Sequence, residues 1–588
     1  MRCSAVVAAG MVGVVAAAAG AAGGPPRFRG RTRVVASRVA GDAGEVGRRE
    51  VVLTREEIRR LPARTLADLL ALLPGVGLRR RGPLGAQADL GLRGGTFEQT
   101  AVLLDGVRVG NRQTGHFALD LFLPVEAIER IEVLYGPGTA ASGPGAFGGA
   151  VNVVTGVRGP AGHAAAGQHG LVGLAAALPL GGGAWAAVER LAHTGFRDDT
   201  ELELVQGAAG WVGGPPGRRL RVTVSAGSRA AGAWSFYTPR FPWQRETTGG
   251  TVAVASAELE AGPVTVRPYV RGSRHRDRFV LDRRRPAWYA NRHTTREALA
   301  GVEVRGGSAL RWAVGTEWER DAIRSSSLGR HHRVRAAVFA EAVRRWRRGA
   351  LGAQLRADRE SPWGRAVTGG VGGSWRVGAT RVRAAWGSAF RSPSFTELHY
   401  RSPASVGDPY LRPERGRTAE VGLDVGAWSV TLFRRHTGDL IDWVLGEDGA
   451  WHATNLGSVT TRGLELAALL PAPGRLRWQR LGLAWLASDA RVDPARSRYA
   501  LTHPRLEAAW TGAAELGRGL EAGWALRLRD PRDAGAWAVL DASLGARILP
   551  GTRVVVEVAN VLDREVEEVR GVPLPGRWAV VRLEWEGS

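Results

Sequence analysis

Asp198, Asp199, Glu201 and Glu203 place four carboxylates within six residues, hard oxygen donors that could hold a calcium ion; as a solvated acidic loop the same residues would do no chemistry. Gly143-Pro144-Gly145-Ala146-Phe147-Gly148 fits the G-x-G-x-x-G spacing that seats a pyrophosphate on a helix N-terminus. The residues that follow, Ala150 to Val154, read as a strand, so the helix this chemistry needs is missing, and so is the Lys of a phosphate loop. Nothing in the chain assembles a nucleophile, a base and an oxyanion hole, so an enzyme is not expected. What remains is non-covalent recognition, and the elements that carry it must be found first.

Composition narrows the class. The formal charge is +24, and all 80 basic residues are Arg. They are scattered, and no helix-turn-helix, RNP or zinc pattern focuses them, so nucleic acid is not an expected partner. Biased coding accounts for part of the excess; in addition, Arg on outer loops can pair with lipid phosphates through planar, bidentate hydrogen bonds. The single cysteine, Cys3, and both methionines, Met1 and Met11, lie in the first segment, so disulfides cannot explain the fold. Residues 1–22 carry one charge, Arg2, and an Ala/Val/Gly run closing on small residues, as a secretory signal peptide does. Gly170 to Val188 is uncharged for nineteen residues, yet Pro179 and the Gly181-Gly182-Gly183 run predict two strands and a tight turn rather than a membrane helix.

The mature chain divides in two. Residues 23–49 read as a flexible segment holding one β-prone run, Thr32-Arg33-Val34-Val35-Ala36-Ser37-Arg38, which is either a first edge strand or a segment that adds itself to another protein's sheet. Residues 50–158 read as a small mixed α/β domain. Thr54 with Glu57, and Thr65 with Asp68, have capping-box spacing before two short apolar helices stopped by Pro62 and Pro74-Gly75. Strands are predicted at 90–93, 101–104, 131–134 and 151–154, with Asp105-Gly106 as a turn.

From 159 to 588 the chain alternates with period two. Leu220, Val222, Val224 and Ala226 interleave with Arg221, Thr223, Ser225 and Gly227; Leu540, Ala542, Leu544, Ala546 and Ile548 interleave with Asp541, Ser543, Gly545 and Arg547. A soluble sandwich would alternate likewise. The signal peptide, the 21 Trp residues and a polar set rich in Arg, Asp and Glu favour a membrane. At roughly 20 residues per strand and connection, the expectation is a mainly β fold: an antiparallel transmembrane β-barrel of roughly 22 strands, with the α/β domain as a plug in its lumen.

Taken in order, several motifs now carry a resemblance. Leu92-Arg93-Gly94, Val102 to Val107, Ile128 to Leu134 with Gly136-Pro137, and Phe147 to Thr155 are similar to the plug signatures of TonB-dependent outer-membrane receptors. Phe390 to Leu398, Leu411-Arg412-Pro413-Glu414 with Glu420-Val421-Gly422, Thr461 to Glu465 and Asn560 to Asp563 resemble the barrel signatures of the same family. The resemblance implies an outer-membrane transporter, working as a monomer among outer-membrane lipid, that imports a scarce small-molecule nutrient with energy delivered by TonB and its inner-membrane complex. Thr32 to Arg38 would be the TonB box. Arg93 matches one arginine of the family's plug-to-wall lock, and Glu420 and Glu465 match its carboxylates. The second lock arginine is replaced by Tyr135, which predicts either a substitute Arg nearby or a protonated carboxylate. The chain also runs past Trp585 to Glu586-Gly587-Ser588 instead of ending on an aromatic residue.

For the ligand, Gln113 to His116, Phe236 to Trp243 and Trp451 to Asn455 look like the cobalamin-receptor subgroup. Plug-apex candidates are Gln87, Arg108, Asn111, Gln113, His116 and Phe117; amide and aromatic groups suit a corrin, whereas an Arg cluster would suit a ferric siderophore. His116 is alternatively a solvated loop residue. No cofactor is required, with calcium at Asp198 to Glu203 as an optional ion. A passive barrel or a binding-only receptor is the competing class. Deleting residues 32–38 is expected to abolish energised uptake while ligand binding persists; uptake that survives the deletion would place the chain among passive barrels.

Overall fold

The computed structural model describes residues 38–587 apart from 40, 42, 239–240, 403, 491–495 and 533–534, so the signal segment and Thr32 to Ser37 lie outside the described residues. Twenty-two antiparallel strands close into a barrel, from Ala161–Gly167 to Trp578–Glu586, and these two pair with each other. Closure leaves no open edge, as lipid requires. Gly170 to Val188 contributes to the strands Leu171–Gly181 and Ala184–His193, with Gly181, Gly182 and Gly183 all at positive φ in the turn.

Burial identifies the solvent. On Leu310–Ser325 the outward residues include Val314 and Trp318, while Glu317, Glu319 and Asp321 face inward and are buried. Val338 and Val367 are 60% and 67% exposed, whereas Arg335 and Arg356 are fully buried. Apolar outside and charged inside is the inverse of a soluble sandwich, and it fits a hydrocarbon exterior around a filled lumen. At the end with short turns, Trp346 meets Trp375 and Trp510 meets Trp524, at centroid distances of 5.8 and 5.4 Å, where interfacial aromatics belong.

The lumen is filled by the N-terminal domain. Its sheet runs in the order Glu50–Thr54, Ile128–Tyr135, Gly149–Thr155, Thr100–Leu104, Val107–Val109, with one parallel pair between Gly149–Thr155 and Thr100–Leu104. The hairpin of Val76–Arg80 with Ala88–Leu92 lies beside it. Both capping boxes are present, Thr54 with Glu57 and Thr65 with Asp68, heading the helices Arg55–Arg60 and Leu66–Ala71. Glu50–Thr54, Val76–Arg80 and the three-residue Val107–Val109 escape sequence reading, their few apolar residues being interrupted or flanked by Glu50, Gly77, Arg79, Arg80 and Arg108. Asp105 and Gly106 both have positive φ, and Asp105 is tied down by Thr155, Thr223 and Arg221, so the turn is also a plug-to-wall contact.

Contact between the two domains is close enough to exclude a methyl group. A Cβ on Gly482 of the wall would lie 1.6 Å from Pro74 of the plug. Gly482→Ala is therefore expected to unseat the plug at a cost of about 1–3 kcal/mol, read as a lowered unfolding midpoint and as solute leak through reconstituted barrels. An unchanged midpoint without leak would show that the wall yields instead.

Candidate binding apex and plug lock

Arg93 stands at the end of its strand with φ 52°, followed by Gly94 at φ 69°, a turn that aims the guanidinium at the wall. Its Nε and Nη2 donate to Glu465 at 2.9 and 2.7 Å, and Nη1 donates to Glu420 at 2.5 Å. All three side chains are buried. Arg49 supplies a further guanidinium, with Nη1 at 3.1 Å from Glu465, and its Cζ lies 4.6 Å from the centroid of Tyr135. Tyr135 therefore does not take an arginine's place in the ion pairs: it donates its hydroxyl to Pro74 O at 2.8 Å and stacks between Arg49 and Arg93. The sequence reading assigned Arg49 to a flexible segment, yet Arg48 and Arg49 are 5% exposed and a 3-10 turn, Ala43–Val46, packs on the wall just ahead of them. Its signal was position: it directly precedes the strand that pairs with Ile128–Tyr135. Arg38, the last residue of the expected TonB box, reaches Glu317 and Glu303 at 2.8 and 3.2 Å.

At the apex, the six candidates are all engaged by neighbours. Gln87 accepts from the Tyr237 hydroxyl at 3.0 Å; Gln113 donates to Asp277 at 2.8 Å and accepts from Thr295 at 3.1 Å. Asn111 accepts from the Gln113 backbone N–H, Phe117 packs on His275, and Arg108 is held by Glu319 at 2.5 Å. His116 is not a solvated loop residue: it stacks on Phe97 at 4.0 Å, meets Tyr237 and Tyr499 edge-on, and puts Nδ1 2.6 Å from Asp89. Burial holds the His116 imidazole below its ordinary value against the pull of Asp89, and although burial opposes it, His116 and Arg81 hold the Asp89 carboxyl far below the usual range. The pair thus rests as a neutral imidazole donating to a carboxylate.

Above these residues, the loops form a cap that sequence reading missed. Arg401–Ser402, Ser405–Val406, Trp451–Asn455 and Ile441–Leu445 make a small sheet, and Ile441, Trp443, Ala453, Leu398 and Leu411 cluster with Phe97 of the plug. Buried Asp442 accepts from the Ser497 hydroxyl and from the backbone N–H groups of Tyr499 and Ala500, pinning a second loop to that sheet. Only about 20 Å³ of free space remains beside Asn111 and Phe117, whereas a cavity of about 1270 Å³ lies at the opposite end, next to the Asp105-Gly106 turn. The acidic loop gathers around an arginine. Asp199 and Glu201 converge on Arg283 at 2.6 and 2.7 Å, Glu203 pairs with Arg190 on the outer face, and no group of three or more metal-ligating side chains is arranged around a common point among the described residues.

Residues 191–561 match the family described as TonB dependent receptor-like, beta-barrel, and residues 43–150 match the TonB-dependent Receptor Plug Domain. The chain belongs to the TonB-dependent receptors. It is an outer-membrane protein of a family made up of transporters and receptors that work with TonB. Among curated relatives it is 23% identical over 563 residues to the vitamin B12 transporter BtuB of Vibrio vulnificus (strain YJ016), covering 88% of each chain. Among solved structures, the receptor's fold is shared with the siderophore receptor PirA from Pseudomonas aeruginosa, at TM-score 0.72 and 19% identity over 92% of this chain and 99% of that one. It is likewise shared with the copper transporter OprC, at TM-score 0.77 and 18% identity over the same shares.

Two outcomes follow from the ion pairs. Arg93→Ala leaves buried Glu465 with Arg49 alone and buried Glu420 without its ion-pair partner, and is expected to destabilise plug seating by about 3–5 kcal/mol, measured as a fall in the denaturant midpoint with Arg93→Lys intermediate; a closed plug with full uptake would remove the lock. A histidine kept neutral by the fold stabilises above its unfolded range and loses that contribution as pH falls, and a depressed carboxyl does the same at lower pH. The contribution of the His116–Asp89 pair should therefore be flat above about pH 7 and decline on acidification, against the opposite trend of Glu98 and Asp442, whose carboxyls burial pushes up; the pair's share is the part of the pH dependence that His116→Gln removes. The same pH dependence of the thermal midpoint between pH 8 and pH 5 in wild type and in His116→Gln would contradict it.

Proposed function

We propose that this receptor imports cobalamin, with TonB driving release of the ligand from the plug. The observation that carries this reading is the chemistry of the apex. Gln87, Asn111 and Gln113 present neutral amides beside Phe117, His116, Tyr237 and Tyr499, while the arginines at the same level are already neutralised: Arg81 by Asp89, and Arg108 and Arg112 by Glu319 and Asp321. Amide-fringed corrins need donors, acceptors and aromatic surface; a tri-anionic ferric siderophore needs uncommitted cations. The breadth of the match to relatives named vitamin B12 transporters supports the same ligand.

In this reading, ligand enters by displacing the loop cap from Phe97 and Tyr499 and takes over the hydrogen bonds now made inside the apex. The plug stays seated through Arg93 and Arg49 until TonB engages the N-terminal segment. The carboxylate contacts of Arg93 and Arg49 are ion pairs, so each can be exchanged for water once the lumen hydrates.

Ferric-siderophore import is the second reading, and one residue favours it. Arg498 at the apex is held by Tyr237 O and the faces of Trp451 and Tyr499, and it has no carboxylate partner among the described residues. Calorimetric titration of the detergent-purified mature protein with cyanocobalamin and with a ferric catecholate, with and without calcium, separates the two. Saturable cobalamin binding without a catecholate signal is expected. Catecholate binding that is lost in Arg498→Ala, with no cobalamin signal, would replace the first reading by the second. Calcium dependence would require Asp199 and Glu201 to exchange Arg283 for the ion.

A further inference from the structure

The cavity of about 1270 Å³ at the periplasmic end takes no part in recognition at the apex. One of its sides is formed by four neighbouring wall strands, Arg218–Gly232, Arg245–Ala261, Val264–Val280 and Ala290–Gly306. Their register sets four charged side chains in one row across the sheet. Arg219 lies opposite Glu258, and Arg267 opposite Glu303. The flanking pairs Ser256 with Tyr269 and Leu259 with Val266 bring Glu258 and Arg267 to the same level. Opposite charges in adjacent strands ordinarily pair across such a row. Here both carboxylates are taken from outside it: Glu258 by Arg305, and Glu303 by Arg38 at 3.2 Å.

Arg219 and Arg267 are left over, and neither forms an ion pair among the described residues. Arg267 donates to Asp105 O at a long 3.4 Å, while Asp105 itself is paired with Arg221 at 3.1 Å. Nε of Arg305 is buried without a hydrogen-bond partner. This side of the cavity is therefore lined by five guanidinium groups, those of Arg38, Arg219, Arg221, Arg267 and Arg305, against the carboxylates of Asp105, Glu258 and Glu303. A solvated rim accounts for Arg219, which is exposed. It does not account for Arg267, which is 7% exposed. A buried cation without a counter-charge is costly, and the space in front of Arg267 is where a counter-charge fits.

We propose that this side of the cavity binds the phosphate group of a small organic phosphate, held between Arg267 and Arg219 with Arg305 Nε as a further donor. The two surplus positive charges match a phosphate monoester, which carries about −1.5 to −2 at pH 7. Arg219 and Arg267 stand two strands apart, about 10 Å between backbones, a gap that two long side chains close over one phosphate. Planar guanidinium groups chelate its oxygens from both sides. The rest of the cavity takes the body of the molecule, and the Asp105-Gly106 turn lines it too, so an occupant touches plug and wall together. A free phosphate ester of the periplasm and a phosphate-bearing nutrient on its way out present the same chemistry. The site is independent of which ligand the apex takes.

The chain from residue 23 onwards has no cysteine, so Ser256→Cys, on the same side of the cavity, supplies a single reporter thiol. Its alkylation by a neutral maleimide is timed in the detergent-purified mature protein with adenosine monophosphate, with adenosine and with cyanocobalamin. Adenosine monophosphate is expected to slow alkylation saturably, and adenosine is not. Joint Arg219→Gln and Arg267→Gln should raise the concentration of adenosine monophosphate needed at least tenfold. The two Arg→Lys exchanges, which keep the charge and guard against a folding defect, should raise it less. Protection by cyanocobalamin as well, lost in the same Gln variant, would support the site and name the departing nutrient as its occupant; protection by adenosine monophosphate alone would support it with a free ester. Equal protection by adenosine, no protection by adenosine monophosphate, or an unchanged dependence in the Gln variant would each overturn the proposal.

Discussion

Lipid offers the backbone no hydrogen bonds, and the rest of this molecule depends on that constraint. A sheet immersed in hydrocarbon must pair every strand on both sides, so the chain closes Ala161–Gly167 onto Trp578–Glu586. Twenty-two strands then enclose a lumen too wide for wall side chains to fill. A separate domain must occupy it, and because one face of the wall is committed to lipid, the inward face that meets this domain carries the charged residues, with apolar contacts such as Trp185, Val252 and Leu299 joining the plug core. The charged core of the protein follows from the solvent outside it.

That polar interior is costly in isolation and is kept by reciprocity. Plug arginines reach wall carboxylates, as Arg93 reaches Glu465 and Glu420 and Arg64 reaches Glu557, while wall arginines reach plug carboxylates, as Arg229 reaches Asp120 and Arg480 reaches Glu57. Buried ion pairs add little net stability compared with apolar packing, but losing one partner is expensive. Such an interface is stable when complete and separable when water and a pulling partner replace the contacts together. An apolar interface of the same area would offer water nothing to bind. The fit is nevertheless tight, since Gly482 leaves no room beside Pro74 for even a methyl group.

The two ends of the lumen differ in kind. At the extracellular end, aromatic contacts between Phe97, Tyr499 and the cap loops bury the amides of the apex, which are only partly satisfied: Gln87 Nε2 and Asn111 Nδ2 have no hydrogen-bond partner among the described residues. At the other end, a large cavity lined by both signs of charge adjoins Arg38, which ties the N-terminal segment to the wall strand carrying Glu317.

Local rules made much of this legible from the residues. The capping boxes at Thr54 and Thr65, the Asp105-Gly106 turn and the alternation of the long strands depend only on neighbours in the chain, and the ion-pair partners Arg93, Glu420 and Glu465 were accessible through their motifs. Arg49 could not be read, because its place beside Tyr135 depends on the register between Glu50–Thr54 and Ile128–Tyr135, strands almost eighty residues apart. The loop cap, the burial of His116 and the capture of Asp199 and Glu201 by Arg283 were likewise hidden, since each needs segments brought together by barrel closure. Sequence by itself determined which residues alternate and which turns are possible, because those are properties of adjacent dihedrals and side-chain periods. Only the tertiary structure decided which charges meet, because partners in a closed barrel are set by register and circumference rather than by distance along the chain.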